Sequence, residues 1–298
     1  MHRRPPRYLG GLAQPDRTLV MGVLNVTPDS FSDGGRFLDP VLARKHGQQL
    51  VAEGADLVDV GGESTRPGAR RPSTEEELDR VLPVVGALAA DGVAVSVDTM
   101  RAVVAEEAVR AGAVLVNDVS GGLADADMLP VVARLGTPYV LMHWRAHSAV
   151  MAEHTTYGDV VGDVVTELAG QLEAALSAGI APDRIALDPG IGFAKTADHN
   201  WSLLAGLDSL HTLGHPVLVA TSRKQFLGLL LADGSGRPRP AALREDATTA
   251  TSALAAATGA WCIRTHAVSA TRDAVEVVAR WAAAGPPDGA AGQAPAHA

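Results

Sequence analysis

The chain has 298 residues, a formal net charge of −9 at pH 7 and 47% apolar residues, which is long for one average domain but usual for an eight-stranded α/β barrel with a sizeable core. The acidic balance argues against broad nucleic-acid binding, which needs a basic face, but a local Arg/Lys cluster can still hold an anionic substrate. Cys262 is the one cysteine, so an intramolecular disulfide and a thiolate-rich metal site are excluded.

Residues 1–18 read as a flexible N-terminal extension. They start basic, but no apolar h-region follows, so no signal peptide is expected. The apolar run Leu19–Asn25 predicts a first strand, and Pro40–Glu53 predicts a helix at roughly 3.6-residue spacing. Leu57–Val60 and Thr74–Ala89 repeat the pair, with Ser73 as N-cap candidate and Glu75, Glu76 and Glu77 in the first turn. The alternation continues with Ala94–Val97 and Arg101–Ala111, Leu115–Asn117 and Asp125–Leu135, then Tyr139–Met142 and Tyr157–Ser177. It closes with Ile185–Leu187 and His199–Thr212, Pro216–Ala220 and Arg244–Thr258, and Trp261–Thr265 and Ser269–Ala284. Glycines such as Gly136 and Gly214 follow the helical runs, where a left-handed cap stops a helix. The tail Gly285–Ala298 reads as disordered.

Eight apolar strands alternating with eight helices predict an α/β fold, a single-domain (β/α)8 TIM barrel over residues 19–284. The strands are apolar throughout, as expected when both faces are buried. A doubly wound sheet would predict a Gly-x-Gly-x-x-Gly turn after the first strand, and Asn25-Val26-Thr27-Pro28-Asp29-Ser30 is not one. No apolar run approaches the roughly 18 residues of a membrane span, so a cytoplasmic location is the default.

Catalytic groups in such a barrel sit at the carboxyl ends of the strands. Here those ends carry Asn25, Asp98, Asn117, Asp188, Lys224, Arg264 and His266. Asp98, Asp188 and Asn117 can read a flat heterocycle rich in N–H donors, because carboxylates accept and an amide does both. Arg66, Lys224, Arg264 and His266 suit an anion, and arginine can clamp a phosphate through two bonds. The set therefore fits a heterocycle carrying a phosphate group. Only three of the 25 basic residues are lysines, Lys45, Lys195 and Lys224, so each raises the question of what an ammonium does that a guanidinium cannot.

Four longer strings carry a family resemblance. Asn25-Val26-Thr27-Pro28-Asp29-Ser30-Phe31-Ser32-Asp33-Gly34-Gly35 resembles the first-loop signature of the dihydropteroate synthases, and Gly61-Gly62-Glu63-Ser64-Thr65-Arg66-Pro67-Gly68-Ala69 resembles their second. Asp188-Pro189-Gly190-Ile191-Gly192-Phe193-Ala194-Lys195 and Ser222-Arg223-Lys224 are similar to two more. The resemblance spans about Val20 to Trp281 and is nearest the actinobacterial members.

The resemblance implies a transferase of folate biosynthesis. It would join 6-hydroxymethyl-7,8-dihydropterin diphosphate to p-aminobenzoate, giving 7,8-dihydropteroate and pyrophosphate with Mg2+, as a cytoplasmic homodimer and a sulfonamide target. It assigns Asp98, Asn117, Met142, Asp188, Phe193, Lys224 and Arg264 to the pterin. Asn25, Arg66, Arg264 and His266 fall to the diphosphate, with Asn25 also the Mg2+ ligand, and Thr65, Pro67 and Ser222 to p-aminobenzoate. Lys224, Asp98, Arg264 and His266 carry catalysis. Two departures from the family pattern stand out. Ala220 occupies a position that is usually glycine, and Ala267 one that is usually aspartate.

Two rival readings share part of the pattern. A barrel moving a methyl group from methyltetrahydrofolate to a corrinoid protein would use Asp98, Asn117 and Asp188 but not Ser222-Arg223-Lys224. A non-catalytic pterin-binding paralogue would be expected to lose loop residues or Lys224, which this chain keeps. His143 and His147 are four apart, with His154 nearby, but lack the intervening Glu of a zinc helix and read as loop histidines. Asp59 lies inside the second strand and reads as a residue that fixes a loop.

Overall fold

The computed structural model describes residues 5–27, 40–64, 70–147 and 150–284. Most of the first-loop string, and Thr65, Arg66 and Pro67 in the second, lie outside the described residues. So does the tail from Gly285.

The first half of the chain runs β1 (Leu19–Asn25), α1 (Pro40–Ala52), β2 (Leu57–Gly61), α2 (Thr74–Ala90), β3 (Val95–Asp98), α3 (Ala102–Arg110), β4 (Leu115–Asp118) and α4 (Met128–Leu135). The second half runs β5 (Tyr139–Met142), α5 (Val160–Ser177), β6 (Ile185–Asp188), α6 (Ala197–Ala205), α7 (Leu207–Leu210), β7 (Leu218–Val219), α8 (Gln225–Leu230), α9 (Glu245–Ala257), β8 (Cys262–Thr265) and α10 (Val268–Ala283). All strand pairs are parallel, in the order β6-β5-β4-β3-β2-β1-β8-β7. A parallel bridge between Leu187 and Val217 joins the two ends and closes the cylinder. This is the expected (β/α)8 barrel.

Strand side chains point alternately inward and outward. Val58, Val60, Val95, Val97, Leu141 and Leu187 face outward and pack with the helices in one large apolar cluster. Leu19, Leu57, Leu115, Val140, Ala186 and Leu218 face inward and fill the lower barrel. Both sets are buried, which is why the strands read as continuous apolar runs. Burying each such side chain contributes about 1.5–3 kcal/mol.

Helix ends follow the local chemistry. Ser73 caps α2 in a capping box with Glu76, and Gly136 ends α4 in the left-handed conformation. The predicted sixth helix is interrupted at Gly206, which separates α6 from α7. The short helix α8 was not anticipated, and β7 shrinks to two residues.

The flexible extension expected through residue 18 is corrected in its described part. Leu9 is buried in the inward-facing cluster at the bottom of the barrel. The Gly10 N–H donates to the Asp183 carbonyl at 2.7 Å. Arg17 makes two 2.7 Å bonds to the Asp56 carboxylate. The segment is held because it covers apolar side chains that would otherwise meet water at the open base.

Candidate active site

Moving up the barrel, the inward-facing positions change from apolar to polar. Above Leu57 stands Asp59, above Leu115 stands Asn117, and above Cys262 stands Arg264. The next step upward brings Asn25, Asp98, Asp188, Ser222 and His266. Each follows its apolar neighbour by two residues or a multiple of two, so the same alternation that fills the barrel aims these groups at its upper end.

Asn25, Asp98, Phe193, Ser222, Lys224, Arg264 and His266 line one cavity of about 730 Å³. Asn117, Met142 and Asp188 adjoin it and are nearly closed to solvent, at 3%, 2% and 5% exposure. Met142 shares an apolar cluster with Met100, Val119 and Phe193. Every predicted site residue that is described thus comes to one end of the barrel.

The Arg264 guanidinium is fixed by two carboxylates. Its Nε–H donates to Asp59 at 2.6 Å and its Nη2 to Asp98 at 2.6 Å. Burial opposes its charge, but Asp59 and Asp98 overcome this and raise its pKa. Asn117 donates through Nδ2 to the same Asp59 oxygen at 3.0 Å. Asp59 therefore does not fix a loop, as its sequence position implied. It points into the barrel, fully buried, and braces two site residues. Its inward register, shared with Leu57, was the signal in the sequence.

Burial pushes the Asp98 carboxyl up to about 7, against the pull of Arg264. Burial also raises Asp188, which Lys224 and the Gly190 N–H, a 2.7 Å donor, hold back. Lys224 is driven down to about 8 by burial. Its Nζ donates to the Ile191 carbonyl and lies 5.0 Å from the Phe193 ring centre. Gly192 makes room for it, since a Cβ there would lie 3.0 Å from Lys224 Cδ, on a backbone with φ +82°.

Ser222 links two strand ends. Its Oγ accepts from the His266 backbone N–H at 3.0 Å and lies 3.0 Å from His266 Nδ1. The hydroxyl can donate to Nδ1, which leaves the ring proton on Nε2. Ala220 sits below Ser222, buried in the inward-facing cluster.

Several site groups escaped the sequence reading. Arg244 also lines the cavity and donates to the Arg223 carbonyl at 2.7 Å, where Arg223 holds the left-handed conformation at φ 61°. The Asn200 side chain on α6 accepts from the Gly192 N–H at 2.6 Å. His143 lies in a loop as expected, directly after β5, but it is not at the surface. It is fully buried, 2.9 Å from Lys195 Nζ on one side and 2.9 Å from Glu167 on the other. Among the described residues no group of three or more His, Cys, Asp or Glu side chains could hold a metal ion.

A barrel whose polar upper end pairs buried carboxylates with lysine, arginine and histidine defines a site for a flat polar ring with an anionic arm. Comparison with known proteins narrows this class. The model of the pterin binding enzymes matches residues 21–266. A dihydropteroate synthase of Mycobacterium leprae is 54% identical over 90% of this chain and 94% of its own length. One from Synechocystis is 45% identical over 85% of this chain and 86% of its own. A crystal structure of the Yersinia pestis dihydropteroate synthase with a sulfonamide drug complex superposes with a TM-score of 0.86 at 42% identity, covering 93% of this chain and 99% of that one. The Xanthomonas albilineans enzyme in complex with 7,8-dihydropteroate gives a TM-score of 0.81 at 43% identity, covering 93% and 98%. The chain belongs to the pterin-binding enzymes and, within them, to the dihydropteroate synthases.

Proposed function

We propose that the protein joins 6-hydroxymethyl-7,8-dihydropterin diphosphate to p-aminobenzoate, forming 7,8-dihydropteroate and pyrophosphate. One observation carries the reading: Asn25, Asp98, Lys224 and Arg264, from four separate strand ends, line a single cavity. The relatives named above support the same reaction.

In this reading Asp98, Asn117 and Asp188 hold the N–H edge of the pterin, and Lys224 donates to one of its acceptors. Met142, Phe193 and the Arg264 plane flank the ring. Arg264 has committed Nε and Nη2 to carboxylates, so its Nη1 faces the diphosphate task with Asn25, His266 and Arg66. Thr65, Pro67 and Ser222 serve p-aminobenzoate, which sulfonamides imitate. The bond from the pterin methylene carbon to the diphosphate oxygen breaks, and pyrophosphate leaves with the electron pair. Positive charge on the pterin is then stabilised by the buried carboxylates. The amine lone pair of p-aminobenzoate forms the C–N bond, and one N–H proton passes to solvent. Positioning and electrostatics supply the acceleration, and no covalent bond to the protein is needed.

Mg2+ fits this site as a companion of the substrate. Such an ion keeps several waters and binds mainly through substrate phosphates with few protein ligands, and the Asn25 amide oxygen, which lines the cavity, would be the protein oxygen that meets it. When bound it would neutralise charge on the leaving diphosphate.

A cytoplasmic homodimer is the accompanying proposal. No helix among the described residues is long and apolar enough to cross a membrane. Leu254 on α9 and Val277 and Trp281 on α10 are 59%, 60% and 71% exposed, an apolar surface of the kind that marks protein contacts.

The direct test is to incubate the purified protein with both substrates and Mg2+ and measure dihydropteroate. Product that depends on both substrates is expected. No product from demonstrably folded protein would sink the reading.

A further inference from the structure

Lys195 lies just beyond the turn that follows β6, and its side chain folds back beneath that turn. It is 9% exposed and lines the cavity. Its Nζ donates to the Phe193 carbonyl at 3.0 Å and meets His143 Nδ1 at 2.9 Å. His143 directly follows β5, and its Nε2 lies 2.9 Å from the Glu167 carboxylate on α5. With Nδ1 accepting from the ammonium, the ring proton sits on Nε2 and is donated to Glu167. Glu167, His143 and Lys195 thus form one line from a partly exposed carboxylate to the pocket.

That line ends directly under two groups assigned to the ring. The His143 N–H donates to the Asp188 carbonyl at 2.9 Å, and the Gly190 N–H donates to the Asp188 carboxylate at 2.7 Å. A Cβ at Gly190 would come 2.4 Å from the His143 carbonyl oxygen, so this turn and the end of β5 are in direct contact. Phe193, whose carbonyl Lys195 holds, is the aromatic face of the pocket. An ammonium carries three N–H donors, and the two bonds described leave the third for an acceptor in the cavity.

We infer that Lys195 is a positioning residue of the pterin pocket, held in place by Glu167 through His143, and that its ammonium fixes the Gly190–Phe193 turn, whose Gly190 N–H in turn orients the Asp188 carboxylate. This rests on the proposed function and adds a charge to its site. It also explains why a chain that writes nearly every cation as arginine keeps a lysine here. The space between the His143 ring and the Phe193 carbonyl takes a compact tetrahedral donor rather than a planar fork.

The surroundings give the inference a measurable pH dependence. The groups facing Lys195 are His143, Glu167, Asp188, Lys224 and Arg145, with the Tyr157 ring centre 5.9 Å away. Burial drives Lys195 down to about 7, against the pull of Asp188. Burial and the adjacent Lys195 charge push His143 down to about 4, so His143 stays neutral across the working range. Pterin affinity should therefore weaken as pH rises through about 7. The Lys224 limb, at about 8, and the Asp98 limb, at about 7, are present in wild type and variant alike and drop out of their ratio.

The test compares wild type with Lys195→Met, which keeps most of the length of the side chain and removes the ammonium. Melting temperature, KM for each substrate and binding of 6-hydroxymethylpterin are measured from pH 6 to 9. At pH 6.5 the variant should bind pterin about tenfold more weakly or worse, the loss typical of a charge-assisted hydrogen bond. Its KM for p-aminobenzoate should stay near wild type, and the ratio of its pterin affinity to that of wild type should recover as pH rises through about 7, because wild type alone loses the Lys195 charge there. Its melting temperature should not fall, because a buried ammonium disfavoured by its surroundings has been removed. Glu167→Gln should shift the wild-type limb to lower pH. Unchanged pterin affinity and pH profile in Lys195→Met would overturn the inference, and so would parallel losses in both KM values and in melting temperature. If wild type itself forms no dihydropteroate, the proposed function fails instead, while the pterin-binding measurement still judges Lys195.

Discussion

A single oxygen of Asp59 accepts from Arg264 Nε at 2.6 Å and from Asn117 Nδ2 at 3.0 Å. The chain separates Asp59 from Arg264 by 205 positions, and barrel closure brings β2 and β8 to either side of β1. Asp59 is fully buried, and among the described residues its other oxygen has no partner. Its contribution is therefore orientation: it sets the plane of the guanidinium that is to flank the ring, and the rotamer of the amide that is to read its edge.

Replacing Asp59 with asparagine preserves the shape and removes the charge. Arg264 keeps only Asp98 as a charged partner, and the neutral amide holds its Nε–H more weakly. Turnover should fall about tenfold to a hundredfold with a raised KM for the pterin diphosphate, equivalent to losing roughly 1–3 kcal/mol of a charged hydrogen bond. Steady-state kinetics checks this, and wild-type constants would refute the bracing role.

Asp188→Asn and Lys224→Ala act on the ring itself. Each removes a buried charged partner from groups that form only in the presence of substrate, so turnover should fall by about 10²–10³-fold. Both positions lie at the functional end of the barrel rather than in its apolar base, and the melting temperature should change little. Pyrophosphate release measures the first effect and thermal unfolding the second. Near-normal turnover in both variants would dismantle the site assignment.

The parts of this architecture that were legible in the sequence are those governed by local pattern. Apolar runs punctuated by glycines located all eight strands, and the polar residue ending each run located Asp98, Asp188 and Arg264. Asp59 was misjudged because it interrupts an apolar run instead of ending one, and its partners lie far along the chain. The partners of His143 are hidden for a similar reason: spacing against His147 says nothing about Lys195 or Glu167, which tertiary packing supplies. The N-terminal segment looked disordered because its anchoring residues, Leu9 and Arg17, have no periodic neighbours. Their partners at the barrel base exist only once the cylinder has closed.

The raised Asp98 carboxyl makes stability depend on pH. Its ordinary value is 3.8, and the folded protein holds it at about 7. Between those values the native state carries a proton that the unfolded chain has lost, so this contribution to stability is complete below the unfolded value and disappears as pH rises through about 7. Asp98→Asn imitates the neutral acid. The ligand-free variant should match wild type near pH 4 and exceed it by about 1–2 kcal/mol at pH 8, while its turnover collapses. Denaturant unfolding at both pH values tests this, and a gap of equal size at each would show that Asp98 does not titrate between them.

Ala267 occupies the N-cap position of α10 but offers no side-chain acceptor, and the first turn of that helix contains no acidic residue. Thr265 compensates in part by accepting from the Ala267 N–H at 3.1 Å, and Thr271 meets that hydroxyl at 3.2 Å. The N–H groups further into the first turn gain nothing from this arrangement, and the positive end of the helix dipole stays uncompensated. Ala267→Asp supplies both an acceptor and a negative charge, and should raise the unfolding free energy by about 1 kcal/mol and the melting temperature by about 2 °C. The new carboxylate adjoins His266, so the kinetics separate two consequences of one substitution. A capping effect alone leaves the KM for the pterin diphosphate unchanged, whereas a carboxylate turned toward the anion site raises it and forfeits the gain in stability.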